Sequence, residues 1–185
     1  MDETEVFSSA TDGFTAFSKE AYKNFEINYP KFFKMDNLSK LAFLGADLLL
    51  KKQGLNATDN DIALILANKS SSLDTDATYQ ETIADKENYF PSPAVFVYTL
   101  PNICIGEISI KHKLYAENSF FIFEDFNPKF LKEYSEFLIQ SKKTTQVLWG
   151  WVEYFKKDYQ ATMYLISKEG KQVHSLENIT KIYTQ

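Results

Sequence analysis

Short apolar runs alternate with stretches whose apolar residues recur at helical spacing. Four runs have the length and composition of buried strands: residues 61–68 (DIALILAN), 119–123 (SFFIF), 145–151 (TQVLWGW) and 161–167 (ATMYLIS). Residues 5–8 provide a fifth candidate strand. Lys156-Lys157-Asp158 lies between the last two runs as a short polar turn, so we expect those two strands to pair antiparallel.

Two stretches between the strands predict amphipathic helices. The first spans 35–52, with Asp36 as its amino-terminal cap and Gly54 just beyond its end. The second follows Asn127-Pro128, the expected order of a cap and a first-turn proline. Residues 70–76 are predicted to form a loop and 78–84 a short helix. The apolar positions of the two main helices are Leu38, Leu41, Ala42, Gly45, Leu48 and Leu49, and Phe130, Leu131, Tyr134, Phe137 and Leu138.

This alternation predicts the fold class. Strands separated by helices form α/β layers around a mostly parallel sheet. We therefore expect one domain over residues 1–185, with a mixed five-stranded sheet whose last strand is antiparallel.

Composition narrows the classes of function. The chain is 44% hydrophobic and 16% aromatic, which is typical of a folded protein. Its net charge of −5 argues against nucleic acid as a partner. No apolar run is long enough to span a membrane, and the acidic amino terminus does not have the order of a signal peptide, so we expect a cytoplasmic protein. One cysteine excludes an internal disulfide and a cysteine-based metal cluster, and no cofactor or metal is predicted.

The stretch 90–118 organises the middle of the chain. Pro91, Pro93 and Pro101 prevent one continuous helix from its start. A helix is expected from Asn102 onward, because apolar residues and His112 follow at helical spacing. Gly106 within that helix suggests the close approach of another backbone.

Residues 92–118, SPAVFVYTLPNICIGEISIKHKLYAEN, resemble the amino-terminal half of a beta-ketoacyl synthase. They are most similar to the short ketosynthase-like proteins of aryl polyene and flexirubin pigment synthesis. TLPN and GEI are the most persuasive pieces, and the likeness extends over about 36–167. It implies one half of a thiolase-like fold, layered α/β/α, with Ala116-Glu117-Asn118 at the family's turn before a buried strand.

The resemblance also implies that the usual catalytic set is missing. It places the nucleophilic cysteine of the family at Asp125, or one residue earlier at Glu124, and neither residue is a thiol. The two catalytic histidines of the family belong to a second half that has no counterpart in this sequence. We therefore identify no catalytic residue and expect the chain to be inactive on its own.

Other chemically capable residues have ordinary explanations. Cys104 lies between isoleucines and is expected to be a buried, inert thiol. His112 could be a base, although a solvated basic patch at a helix end explains it better, and His174 is expected to be exposed. Glu124 and Asp125 could form an acid pair, but capping the next helix is the favoured role. Packing explains the remaining candidates, which are Gly45, Gly106, Gly150, Trp149 and Trp151.

The leading hypothesis is a non-catalytic subunit similar to a chain-length factor. In the family, the strand before the nucleophile pairs with its mate across a twofold axis. Here that dimer strand is Phe120, Phe121, Ile122 and Phe123. The expected partner is a full-length ketosynthase or a second copy of the chain.

Two alternatives stay open at this point. The first is an enzyme that hydrolyses or dehydrates acyl thioesters through Asp125, Glu124 or His112. The second is a module that binds acyl chains or an acyl carrier protein without catalysis. Four lysines could meet an acidic carrier protein: Lys111, Lys113, Lys142 and Lys143.

Overall fold

The computed structural model describes residues 5–170 and 172–184. The ends of the expected 1–185 domain, residues 1–4 and Gln185, lie outside the described residues, as does Lys171. The helices and strands, in chain order, are α1 (Phe14–Asn24), α2 (Asn37–Leu50), β1 (Ile62–Asn68), α3 (Leu73–Ala84), α4 (Pro93–Phe96), α5 (Ile103–His112), β2 (Asn118–Ile122), α6 (Pro128–Gln140), β3 (Gln146–Phe155), β4 (Asp158–Ser167) and α7 (Leu176–Thr184).

The sheet has the strand order β2-β1-β3-β4. Strand β1 runs parallel to β2 on one side and to β3 on the other, and β4 returns antiparallel to β3. The predicted mixed, mostly parallel sheet with an antiparallel last strand is therefore confirmed. The predicted count of five strands is wrong, because the sheet has four within the described residues. Residues 5–8 are not a strand: Phe7 instead packs against the rings of Phe17 and Phe25 beside α1.

Helices cover both faces of this sheet. Alternate residues of a strand point to opposite faces, and every residue of β1 is buried. Leu64 and Leu66 belong to the core beneath α1, α2 and α5, whereas Ile65 belongs to the core beneath α6 and α7. The layered α/β/α arrangement is thus confirmed.

The helix caps predicted from the sequence are confirmed, but several of the predicted helix bounds are wrong. The Asp36 Oδ1 atom accepts a hydrogen bond from the Ser39 amide at 2.9 Å, and Asn127 Oδ1 accepts one from the Phe130 amide at 3.0 Å. Helix α3 begins at Leu73, inside the stretch expected to be a loop. Helices α1 and α7 were not predicted. Helix α1 begins after Gly13 without a side-chain cap, and α7 buries a single residue, Ile179.

The three glycines expected to serve packing divide into two groups. A Cβ atom at Gly150 would lie 2.9 Å from both Leu66 Cδ2 and Met163 Cγ, and one at Gly45 would lie 2.5 Å from Met163 Sδ. Gly106 has nothing within 4 Å of such an atom, so the expected close approach there is wrong. The absence of a side chain at Gly45 and Gly150 therefore allows α2 and β3 to pack directly against Met163 of β4.

Among the described residues, no single helix has the length and apolarity needed to cross a membrane. The segments Pro93–Thr99 and Ile103–His112 meet those criteria only when counted together, across a bend of 93°.

Substitutions at Gly150 and Gly106 should change stability in opposite directions. Gly150→Ala should lower the free energy of unfolding by about 1–3 kcal/mol, because the new methyl group overpacks the core. Gly106→Ala should raise it by about 0.5–1 kcal/mol, because the position is exposed within a helix and has free space. Urea unfolding followed by circular dichroism measures both, and equal effects would contradict this account of the packing.

Candidate functional site

The position that the resemblance assigns to the nucleophile lies in the loop between β2 and α6. Glu124 and Asp125 are both exposed there, and the Asp125 side chain is 85% accessible. Its Oδ1 atom lies 3.5 Å from Lys69 Nζ. The expectation that these carboxylates cap α6 is wrong, because Asn127 makes that hydrogen bond two residues later. Both carboxylates are therefore solvated surface charges, and Asp125 lies beside a lysine.

An open cleft of about 410 Å³ lies beside this loop, at the carboxyl ends of the parallel strands. Ligands commonly bind beyond the carboxyl ends of the strands of an open α/β sheet. Phe126 stacks on Tyr183 within the cleft, with ring centroids 3.9 Å apart. The full lining is Lys69, Ser70, Asp125, Phe126, Trp151, Glu153, Phe155, Asp158, Tyr159, Gln160 and Tyr183.

Two side chains that the sequence analysis did not identify stabilise the loop after β1, which lines this cleft. Asn68 is fully buried at the end of β1, and its amide group both accepts from the Ser71 N–H and donates to the Ser71 carbonyl, each at 2.9 Å. Glu153 Oε2 accepts from the amides of Lys69 and Ser70 at 2.8 and 3.2 Å. Asn68 is a polar residue that ends an apolar run, which is the only local signal for its role.

His112 lies elsewhere and is not solvated. Its Nε2 atom is 3.2 Å from Oδ1 of Asp47, a fully buried carboxylate of α2, so the expected solvated patch is wrong for this residue. Lys51 Nζ lies 3.0 Å from Asp47 Oδ2. Burial alone would raise the pKa of Asp47, but the hydrogen bonds from His112 and Lys51 outweigh it and hold that pKa below its usual value. The one sequence signal for this buried ion pair was Asp47 itself, a carboxylate that directly precedes three leucines.

The sheet separates His112 from the acid pair. Asn60, just before β1, donates a hydrogen bond to the His112 carbonyl at 2.8 Å. Asp125 instead contacts Lys69, just after β1. The six residue steps of β1, at about 3.3 Å each, separate these two points by about 20 Å or more. His112 lines a different cleft, of about 350 Å³. The structure therefore does not bring together the residues required by the enzyme alternative.

Cys104 is the buried thiol that the sequence predicted. Its side chain is inaccessible, and Sγ lies 3.0 Å from the Pro101 carbonyl oxygen. Burial is the main reason that the pKa of this thiol is raised far above its usual range. Thiolate is the reactive form of cysteine, so this residue is unsuited to nucleophilic catalysis. Among the described residues, no group of three or more histidine, cysteine or carboxylate side chains is placed to hold a metal ion.

His174 is half-buried, so the prediction of an exposed side chain is wrong. Its Nε2 atom lies 3.4 Å from the Tyr164 hydroxyl and its Nδ1 atom 3.8 Å from Glu136 Oε1. Burial lowers the pKa of this imidazole. These contacts attach the segment before α7 to β4 and α6. His174 therefore has a structural role.

Glu107, in the GEI segment, is a buried carboxylate with a structural role. It lies 2.9 Å from Lys31 Nζ and accepts a hydrogen bond from the Tyr29 hydroxyl at 2.8 Å. Burial and this carboxylate raise the pKa of Tyr29 to about 12. These contacts tie the segment before α2 to α5.

Strand β2 forms an edge of the sheet and has no neighbour beyond it among the described strands. Phe120 packs toward the core under α2 and α5, whereas Phe121 and Phe123 pack toward α6. Phe123 lies just past the end of the strand and still donates its amide to the Asn68 carbonyl at 3.0 Å. Ile122 is 54% exposed. The dimer strand named from the sequence is therefore an open edge with one accessible apolar side chain.

Comparison with known proteins gives a fold likeness and no sequence match. No family model matches the chain, and no curated protein matches it in sequence. The ishigamide ketosynthase/chain length factor structure is similar over 74% of this chain and 44% of its own, with a TM-score of 0.64 and 19% identity. The structure of a ketosynthase (ApeO) in complex with its chain length factor (ApeC) from Xenorhabdus doucetiae is similar over 92% of this chain and 68% of its own, with a TM-score of 0.57 and 13% identity. The chain thus has the fold of one thiolase-like half and spans less than half of the first of these relatives.

Removal of the Asp47 charge should change how stability depends on pH. The folded-state pKa of Asp47 is depressed, so its contribution is complete above the unfolded value of 3.8 and is lost as pH falls below it. Asp47→Asn should therefore destabilise the protein by about 3 kcal/mol at pH 7 and should flatten the loss of stability between pH 5 and pH 3. Chemical denaturation at several pH values measures this. Asp125→Asn, at an exposed site, is the control and should leave the stability at pH 7 nearly unchanged.

The Cys104 thiol should resist modification in the folded protein. Because the thiol is buried and its pKa is raised, a colourless disulfide reagent that releases a chromophore should react only as fast as the protein unfolds. In denaturant it should titrate one thiol per chain at once. Rapid reaction under native conditions would show that Cys104 is accessible.

Proposed function

We propose that this chain is a non-catalytic subunit, similar to a chain-length factor, that pairs with an active ketosynthase. Two observations support the absence of catalysis. Exposed carboxylates, Glu124 and Asp125, stand where the resemblance expects a thiol, and the one cysteine is buried in α5. The likeness to structures of ketosynthases with their chain length factors supports the choice of partner.

The open edge of β2 carries the proposal. Glu117 accepts from the Leu64 amide and Phe123 donates to the Asn68 carbonyl. In a parallel ladder, alternate residues bond to one neighbour, so the odd-numbered residues of β2 bond to β1. The N–H and C=O groups of Asn118, Phe120 and Ile122 therefore point to the open edge. An unpaired row of this kind is a template for a strand from another chain.

Exposed apolar side chains lie near this edge. Helix α5 contacts β2, and Ile110 on α5, Tyr115 before β2 and Ile122 at its end are all exposed. The outward side of α6 differs, because Lys129 and Glu133 are exposed there and Phe137 is its one exposed large apolar residue. This distribution supports a partner at the β2 edge rather than over α6.

Several finer assignments belong to the same proposal. Polyketide-type or fatty acid synthesis, of which aryl polyene formation is the example drawn from the resemblance, is the proposed setting. A cytoplasmic location and a single domain over 1–185 stay predictions from the sequence. We also propose that an acyl carrier protein approaches the amino ends of the parallel strands, where Lys111 and Lys113 precede β2 and Lys142 and Lys143 precede β3.

Blocking the edge should abolish association with the ketosynthase. Ile122→Lys places a charge on the accessible edge, where charged residues oppose strand pairing, and should weaken the mixed complex at least about tenfold. The matched control is Phe137→Lys, because Phe137 is 52% exposed on α6 and Ile122 is 54% exposed. Sedimentation velocity of the chain mixed with a ketosynthase encoded nearby measures both.

A condensation assay then tests the role of the complex. The chain alone should form no 3-oxoacyl product, and its addition to the ketosynthase should change the rate or the length of the product. If no mixed complex forms, or if Ile122→Lys and Phe137→Lys weaken it equally, then pairing through β2 is wrong.

A further inference from the structure

The cleft at the carboxyl ends of the parallel strands has an aromatic lining. Its volume of about 410 Å³ lies in the range of small-molecule sites. Phe126, Trp151, Phe155 and Tyr183 line it, whereas the ring of a fifth aromatic residue, Tyr159, packs against α1 instead. The rings of Phe126 and Tyr183 are nearly parallel, and the Trp151 ring makes angles of 89° and 83° with them. Aromatic rings in two perpendicular orientations therefore meet beside the cleft.

Negative charge exceeds positive charge in this lining. Three carboxylates line the cleft, those of Asp125, Glu153 and Asp158, but only one lysine, Lys69. Lys69 Nζ already lies 3.5 Å from Asp125 Oδ1. Among the described residues, neither Glu153 nor Asp158 forms an ion pair. The cleft therefore holds two carboxylates that no described cation neutralises.

Glu153 is the more enclosed of these two carboxylates. It alternates with Trp151 and Phe155 along β3, so the three side chains share one face of the sheet. Its Oε2 atom accepts from the amides of Lys69 and Ser70, whereas its Oε1 atom is buried and accepts no hydrogen bond from a described residue. A buried carboxylate is costly unless positive charge lies close to it. Glu153 therefore favours a cation in the adjoining cleft.

One ring of the cleft already interacts with a cation. Lys156 Nζ lies 5.0 Å from the centroid of the Phe155 ring. The face of an aromatic ring attracts positive charge, and proteins recognise quaternary ammonium groups with several such rings. An anion in the cleft would be repelled by Glu153 and Asp158, and a neutral molecule would leave both charges uncompensated. The combination of rings and carboxylates thus favours an organic cation.

We propose that this cleft binds an organic cation with an alkylammonium head group. The rings of Phe126, Phe155 and Tyr183 contact its methyl and methylene groups, and the charges of Glu153 and Asp158 attract its nitrogen. This site goes beyond the proposed function and does not depend on pairing with a ketosynthase. The chain alone is therefore sufficient to test it.

A pair of isosteric probes isolates the role of charge. Choline and 3,3-dimethylbutan-1-ol have nearly the same shape, but only choline is a cation. The chain has two tryptophans, so its nitrogen-15 spectrum should contain two indole N–H signals, and Trp151→Phe identifies the one from the cleft. Choline chloride should shift that signal saturably, whereas sodium chloride at equal ionic strength should not. The neutral alcohol should bind at least about tenfold more weakly than choline.

Substitution of the carboxylates should weaken choline binding. Glu153→Gln keeps a carbonyl oxygen for the two amides but removes the charge, and it should raise the dissociation constant about tenfold. Asp158→Asn, at an exposed position, should raise it severalfold and provides a second variant if Glu153→Gln unfolds. Glu133→Gln on α6 is the matched control, because it makes the same change in net charge at an exposed site outside the cleft lining.

Substitution of one ring tests the aromatic contact separately. Tyr183→Leu should weaken choline binding about threefold, because a ring face is lost. Tyr183→Phe keeps the ring and should bind choline as the wild type does. Equal affinity of these two variants would contradict a contact between the cation and this ring.

Each result decides the proposal. Choline that causes no saturable shift beyond that of sodium chloride would overturn it, and so would equal binding of choline and its neutral isostere. Glu153→Gln and Asp158→Asn that bind as tightly as Glu133→Gln would place any choline site elsewhere and would overturn the assignment to this cleft. Because all of these measurements use the chain alone, failure of the chain to bind a ketosynthase would overturn the proposed function without affecting this result.

Discussion

The rest of the structure depends on the burial of one strand, β1, between two neighbours and two helical layers. All seven of its residues are buried, and it bonds to β2 and β3 in parallel. Buried amides close its two ends: Asn60 donates to the carbonyls of Asn56 and His112, and Asn68 holds the turn at Ser71. Because these polar groups are satisfied, the strand can lie in the core without the cost of unpaired donors and acceptors.

The central position of β1 determines which surfaces of the molecule are available for binding. It places β2 at the rim, where no other described strand pairs with its outer backbone groups. It also keeps the two ends of the parallel strands about 20 Å apart. At the amino ends of the parallel strands, His112 and Asp47 form a buried pair. At their carboxyl ends, solvated carboxylates lie beside an aromatic cleft. The described titratable groups at the two ends of the strands are thus dispersed rather than converged.

Much of the fold could be predicted because the signals are local. The strand runs and the caps at Asp36 and Asn127 depend on residues within a few positions, and they were located within a few residues of their observed bounds. Helices α1 and α7 were missed although their apolar residues recur at helical spacing. Helix α1 has no side-chain cap to mark its start, and α7 lies in a mostly polar segment. The role of Glu153 could not be predicted, because it accepts hydrogen bonds from amides more than 80 positions away.

From its residues alone, the chain could be known to lack a thiol after its second apolar strand and to form alternating strands and helices. Only the tertiary structure decided that β2 is an edge, that His112 is buried against Asp47 and that Gly106 has open space around it. The reason is physical. Periodicity and capping arise from neighbours along the chain, whereas strand order, burial and charge pairing arise from contacts between distant segments.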